Sequence, residues 1–328
     1  MNIAILGYGY WGPNLARNFF NLNNNCKLKL IVDHNPQRLE LARKQYPNIA
    51  VALNIDDAIN STDIDCIVIA LPISLHYPIA KEALLKGKNV LVEKPMTQSV
   101  EQAEELIELA IKKNTVLMVD HTFLYTGSIR KIKELIDSDE LGEIQYFDSV
   151  RINLGIFQYD SNVIWDLASH DISILEYLFN ESPEKIQTIA ISHTKNKIEN
   201  MAYLSLFYKT NKFAHINVSW SSPVKVRRII IGCSKKMILF DDIEPTEKIK
   251  VYDTGYSIKS IDDKSKVLID YRTSDIFIPK IDNTEALKLM CEDFINAVNN
   301  NKKPISDYSL GLKVIKTLES AEKSIVKY

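Results

Sequence analysis

Short unbroken apolar runs alternate with amphipathic stretches through the first third of the chain. Ile3-Ala4-Ile5-Leu6 precedes a helical pattern from Pro13 to Leu22, and Leu28-Lys29-Leu30-Ile31-Val32 precedes another from about Pro36 to Tyr46. Cys66-Ile67-Val68-Ile69-Ala70 leads to a helix from about Tyr77 to Lys86. Asn89-Val90-Leu91-Val92 leads to one from about Ser99 to Lys113, and Val116-Leu117-Met118-Val119 closes the series. Strands that are apolar along their whole length have no wet face, so they predict a parallel sheet covered on both sides by helices. Right-handed crossovers make that sheet doubly wound.

The rhythm changes after about residue 120. Helical patterns at Ser128 to Asp137 and Trp165 to Phe179 are followed by strand patterns at Lys185 to Ile191, Met201 to Tyr208, Phe213 to Ser219, Val226 to Ile231 and Lys248 to Tyr252. Ala202-Tyr203-Leu204-Ser205-Leu206-Phe207-Tyr208 alternates with period two, the mark of an antiparallel sheet with one solvated face. Two helices, about Glu285 to Asn299 and Ser309 to Val326, end the chain. The expectation is an α/β domain over residues 1–120 and an α+β domain with a large, mostly antiparallel sheet over 121–328.

Composition narrows the functional classes. At 328 residues the length fits about two domains of roughly 150 residues each. Apolar residues at 46% and charged residues at 25% are ordinary for a folded chain. Lys plus Arg is 40 and Asp plus Glu is 42, a net charge of −2, so no basic footprint for nucleic acid is present. Cys26, Cys66, Cys233 and Cys291 are scattered, without Cys-x-x-Cys spacing, and the N-terminus reads as a strand rather than a leader. A cytoplasmic location, with no membrane partner, is the expectation.

The first strand runs into Gly7-Tyr8-Gly9-Tyr10-Trp11-Gly12, a complete G-x-G-x-x-G placed between a strand and a helix. In such a dinucleotide-binding (Rossmann) turn Gly7 permits the tight bend, Gly9 lets backbone approach a pyrophosphate, and Gly12 lets helix and strand pack closely. The phosphates meet the helix N-terminus, where free N–H groups and the helix dipole favour anions. Asp33, at the end of the second strand, stands where a carboxylate accepts the ribose hydroxyls and opposes a 2′-phosphate, which favours NAD over NADP. Its alternative role is a turn residue ahead of His34-Asn35-Pro36. Tyr8, Tyr10 and Trp11 either cover the cofactor or seal the domain edge.

Three further segments carry a family resemblance. Ala70-Leu71-Pro72-Ile73-Ser74-Leu75-His76, Gly87-Lys88-Asn89-Val90-Leu91-Val92-Glu93-Lys94-Pro95 and Trp165-Asp166-Leu167-Ala168-Ser169-His170-Asp171 resemble signatures of the glucose–fructose oxidoreductase/inositol dehydrogenase/MocA (Gfo/Idh/MocA) family. The match spans residues 1 to about 180, and the strand-rich remainder is similar in layout only. The Gly7 to Asn14 opening and His121-Thr122-Phe123-Leu124-Tyr125 resemble a branch associated with nucleotide-sugar pathways.

The resemblance implies that Lys94 contacts both nicotinamide ribose and substrate, that the bond into Pro95 is cis, and that Glu93, Leu71, Pro72 and His76 line the cofactor. It also implies His170 as the acid–base residue. Asp166 and His170 are four apart, on one face of a helix, so the carboxylate is placed to hold the imidazole's tautomer; a helix cap is the competing role for Asp166. Tyr125, Arg151 and Asn153 resemble the branch's substrate-proximal positions, with surface polarity as the alternative. One histidine and two nearby carboxylates do not make a metal-ligand set.

The function implied is hydride transfer at a ring carbinol of a sugar, with a UDP-N-acetylhexosamine oxidised at C3 as the leading example. A free polyol or inositol dehydrogenase is the enzymatic alternative. A dinucleotide-binding regulator without catalysis is the other class, and retention of both Lys94 and His170 argues against it. A homodimer or homotetramer formed through the C-terminal sheet is also implied.

Overall fold

The computed structural model describes residues 1–22, 25–155, 157, 160–195, 197–258 and 269–326. The chain divides into two compact units, Met1–Thr126 with Thr284–Glu319, and Gly127–Asn283 with the segment from Ser320 onward.

The first unit opens with β1 (Asn2–Leu6), α1 (Gly12–Asn21), β2 (Lys27–Val32), α2 (Pro36–Gln45), β3 (Ala50–Ala52), α3 (Asp56–Ile59) and β4 (Cys66–Ile69). It continues through α4 (Ile73–Leu85), β5 (Asn89–Glu93), α5 (Val100–Lys113) and β6 (Leu117–Asp120). All pairings are parallel, in the order β3-β2-β1-β4-β5-β6. The order reverses between β1 and β4, the switch point at whose carboxyl edge α/β sheets bind ligands. Ile3, Ile5, Ile67, Val68, Val90 and Val92 are fully buried, as two-sided coverage requires. β3 is a three-residue edge strand, too short to show a pattern in sequence.

Local chemistry explains the helix boundaries. Asn35 caps α2 by accepting the Gln37 N–H at 2.9 Å, and Pro36 occupies the first turn. Ser99 caps α5, which ends at Asn114 in the left-handed conformation (φ 53°) after Lys112 and Lys113. α4 starts at Ile73, four residues earlier than its apolar pattern predicts, and runs through Pro78. Its first turn is pinned by His76, whose ring nitrogens each lie 2.8 Å from a carbonyl oxygen, Nδ1 from Pro95 and Nε2 from Leu71.

The second unit holds α6 (Gly127–Asp137), β7 (Ile144–Leu154), a π turn (Ile164–Ala168) and α7 (Ser169–Phe179). Then come β8 (Lys185–Ile191), β9 (Met201–Phe207), β10 (Phe213–Ser219), β11 (Ser221–Cys233), β12 (Met237–Asp241), β13 (Ile249–Ile258) and β14 (Ile269–Phe277). They form one eight-stranded sheet, β14-β13-β12-β11-β7-β10-β9-β8, antiparallel except where β10 runs parallel to β7. The alternation read in β9 holds: Ala202, Leu204 and Leu206 are buried while Tyr203 and Phe207 are exposed.

The chain ends with α8 (Ala286–Asn300) and α9 (Tyr308–Lys323). α8 and most of α9 belong to the first unit, so the division at residue 120 does not describe its full extent. Phe294 of α8 meets Phe19 of α1 edge to face at 6.3 Å, and Met118 bridges Asp307. A return of this kind is invisible to a reading of local periodicity. Among the described residues, no helix is long and apolar enough to cross a membrane.

Candidate active site

The glycine loop sits at the carboxyl end of β1, beside the switch point. Gly7 adopts φ +98°, and a Cβ there would lie 2.2 Å from the Ala70 carbonyl oxygen. A Cβ on Gly12 would lie 2.0 Å from the Gly7 carbonyl oxygen. Backbone therefore excludes any side chain at both positions. A Cβ on Gly9 would meet nothing nearer than the flexible Arg38 guanidinium, at 3.5 Å. α1 begins at Gly12 with Pro13 in its first turn and Trp11 as N-cap. Tyr8 is buried, its hydroxyl donating to Gln45 at 2.9 Å and pushed up to about 12 by burial, whereas Tyr10 is 90% exposed.

Asp33 is only 3% exposed. Its Oδ2 accepts the Tyr8 N–H at 2.6 Å and its Oδ1 the Asn35 N–H at 2.8 Å, so the carboxylate holds both the glycine loop and its own turn. The Arg38 guanidinium lies 3.4 Å from Oδ2. Two backbone-locked glycines, a helix N-terminus at the switch point and this buried acid together fit a dinucleotide.

At the end of β4, Leu71 is half-buried and Pro72 exposed. His76 is buried and ties their segment to Pro95. At the end of β5, Lys94 is half-buried and the Lys94–Pro95 bond is cis, as the resemblance implies. Glu93 stands opposite Asp120 of β6 in register. Its carboxyl is pushed well above the usual range, first by burial, then by the neighbouring Asp120, with Lys94 opposing. His121 is buried and lowered to about 3 by burial and the Lys94 charge; neither ring nitrogen has a hydrogen-bond partner among the described residues. That ring is neutral at physiological pH. Tyr125, expected at substrate, is engaged elsewhere: its buried hydroxyl donates to Asp293 at 2.7 Å and lies 3.1 Å from the Ser306 hydroxyl.

In the second unit, Asp166 sits on the π turn and His170 in the first turn of α7. Single π turns inside helices are frequent at functional sites. Asp166 Oδ2 accepts the Trp220 indole N–H at 2.9 Å, a partner 54 positions away. Both Asp166 and His170 are half-buried.

Arg151 was expected at substrate as well. Its guanidinium is instead buried on Asp171, Nε 2.7 Å from Oδ2 and one terminal nitrogen 3.1 Å from Oδ1, and Ser149 donates to the same carboxylate. Asn153 is half-buried near the end of β7. Asp120, His121, Asp171 and Trp220 were not singled out from sequence. Asp171 closes the His170 motif and Asp120 ends a strand facing the Glu93 end, the two signals that would have drawn attention to them.

Comparison with known proteins decides the family. Residues 1–121 match the Gfo/Idh/MocA oxidoreductase family model for an NAD-binding Rossmann fold, and residues 129–239 match the Gfo/Idh/MocA C-terminal domain. The chain belongs to the Gfo/Idh/MocA family. Within it, the UDP-N-acetylglucosamine 3-dehydrogenase of Acidithiobacillus ferrooxidans is 23% identical over 324 residues, covering 96% of this chain and 94% of that one. A solved structure of that enzyme superimposes with a TM-score of 0.83 at 20% identity, covering 99% and 97% of the two chains. The inositol 2-dehydrogenase of Mycolicibacterium gilvum is 26% identical over 192 residues, 58% of this chain and 55% of that one. Two Schizosaccharomyces pombe oxidoreductases are more alike locally, at 33% and 39%, but the matches span only 40% and 29% of their lengths. At identities near 20% the structural likeness speaks for the fold alone.

Proposed function

We propose that this chain is an NAD-dependent oxidoreductase acting at a ring carbinol or ketone of a sugar, with a nucleotide-linked hexose of the UDP-N-acetylhexosamine type as substrate and C3 as the reacting carbon. The observation that carries this reading is the end-to-end alignment with a UDP-N-acetylglucosamine 3-dehydrogenase, 96% of this chain against 94% of that enzyme. The match to an inositol 2-dehydrogenase is shorter, 58% of this chain, and supports a free polyol as the second reading.

When bound, NAD supplies the hydride acceptor. Gly7, Gly9 and Gly12 and the first turn of α1 receive its pyrophosphate, with Trp11 at the helix cap and Tyr10 at the exposed rim. Asp33 accepts from the adenosine ribose, and its charge opposes a 2′-phosphate; Arg38 beside it makes the NAD-to-NADP ratio a direct test of that role. Leu71, Pro72, His76 and Glu93 shape the segments around Lys94.

In the oxidising direction His170 takes the proton of the substrate hydroxyl, since imidazole is the side chain whose ordinary pKa suits that transfer near neutrality. Lys94, a cation, steadies the oxygen as negative charge develops on it. In the reverse direction His170 returns the proton to a ketone. Asp166, held by Trp220, orients the imidazole. Asn153 is the remaining polar candidate for substrate, with Tyr125 and Arg151 supporting from their anchored positions.

A cytoplasmic homo-oligomer completes the proposal. The four cysteines are free and buried, consistent with a reducing compartment. Exposed Ile189, Ile191, Tyr203, Phe207 and Phe213 on neighbouring strands β8, β9 and β10 give the sheet an apolar outer face suited to a second copy. The test is a substrate panel with NAD and with NADP, following reduced-cofactor formation: UDP-N-acetylhexosamines with NAD are expected to react, and reaction of free inositol alone would place the polyol first.

A further inference from the structure

Glu93 and Asp120 are register partners at the carboxyl ends of adjacent strands β5 and β6, so their carboxyl groups lie side by side. Two like charges side by side in a buried place disfavour one another, which favours a proton on one of the two carboxyls. Asp120 is buried and also accepts the Trp11 indole N–H at 2.8 Å and the Thr122 hydroxyl. Two side-chain donors, the Trp11 indole and the Thr122 hydroxyl, converge on Asp120, which favours Glu93 as the carboxyl that holds the proton. Glu93 Oε2 in turn accepts the Lys94 backbone N–H at 2.9 Å.

The indole connects this pair to the glycine loop. Trp11 lies between Gly9 and Gly12 and is the N-cap of α1; its carbonyl accepts the Asn14 N–H at 2.9 Å. Holding the indole therefore holds the residue from which the anion-binding turn starts. Taking the dinucleotide-binding function above as given, we propose that Asp120 is a positioning residue for that turn, acting through Trp11, and that a proton on Glu93 keeps a single negative charge where the strand ends meet the loop.

The electrostatics agree with this geometry. Burial and the Asp120 charge raise Glu93, and Lys94 is the opposing cation. Among the described residues, the Cys291 thiol of α8 also meets Asp120 and is pushed well above its usual range by burial and by that charge, and His121, next to Asp120 in sequence, is kept neutral by burial and by the Lys94 charge. Ionising Glu93 as pH rises through its raised value would add a second negative charge beside the loop that receives a pyrophosphate. NAD affinity should then fall as pH rises.

Two measurements test this. Infrared difference spectra of the cofactor-free chain, wild type against Glu93→Gln, should show one protonated carboxyl lost in the variant at neutral pH. Calorimetric titration with NAD should show affinity weakened about tenfold by Asp120→Ala, the loss equivalent to one good hydrogen bond. Asp120→Asn keeps an acceptor for the indole and should recover part of that loss, guarding against a folding defect in the alanine variant. Glu93→Gln, whose amide donates as the acid does, should bind with an affinity that no longer falls with rising pH. Wild-type NAD affinity in Asp120→Ala, or no protonated carboxyl in the wild type, overturns the proposal. Failure of the wild type to bind NAD at all would overturn the proposed function instead, while the infrared result still decides where the proton sits.

Discussion

Gly7 shows how completely one position can be determined at the switch point. Its φ of +98° and the 2.2 Å that would separate an added Cβ from the Ala70 carbonyl oxygen leave no room for a side chain. Gly7→Ala should cost about 2 kcal/mol or more in stability, read as a lower urea midpoint, because both backbone strain and a clash with rigid backbone are introduced. Lys94→Ala and His170→Ala should each lower turnover on the true substrate by roughly 10²–10⁴-fold while leaving NAD affinity nearly intact; wild-type turnover in either would remove its assigned role. Gly7, Gly12 and Asp33 were legible because their requirement is local. The engagements of Arg151 and Tyr125 were not, since their partners lie 20 and 168 positions away. Nothing in a local pattern separates a polar residue facing substrate from one buried against an aspartate.

At the level of elements, β7 and α7 are fastened by a buried ion pair, Arg151 with Asp171, completed by the Ser149 hydroxyl. Removing one partner leaves an uncompensated buried charge, so Asp171→Ala should cost about 3–5 kcal/mol, and thermal melting will show whether it does. The raised Glu93 at the end of β5 has a consequence for pH. Its unfolded value is near 4.3 and its folded value is higher, so its contribution is fully present below about pH 4 and is lost as pH rises through the folded value. Glu93→Gln should therefore gain stability relative to wild type as pH climbs from acid through the raised value. Equal slopes in the two melting curves would contradict the raised value. The five longer parallel strands were readable as apolar runs. The early start of α4 was not, because His76 secures it through carbonyls of Leu71 and Pro95, the latter nineteen positions away.

For the whole molecule, the two fold classes followed from the change of hydrophobic period near residue 120. The return of α8 and most of α9 to the first unit did not, because an amphipathic helix records that it has a buried face and not which sheet covers it. The apolar outer face of β8, β9 and β10 predicts self-association: Phe207→Glu should lower the mass measured by light scattering, and an unchanged oligomer would assign that face another role. Purified protein with NAD and UDP-N-acetylglucosamine should form NADH, and should form none with free inositol. NADH from inositol but not from the nucleotide sugar, or from neither, would contradict the account.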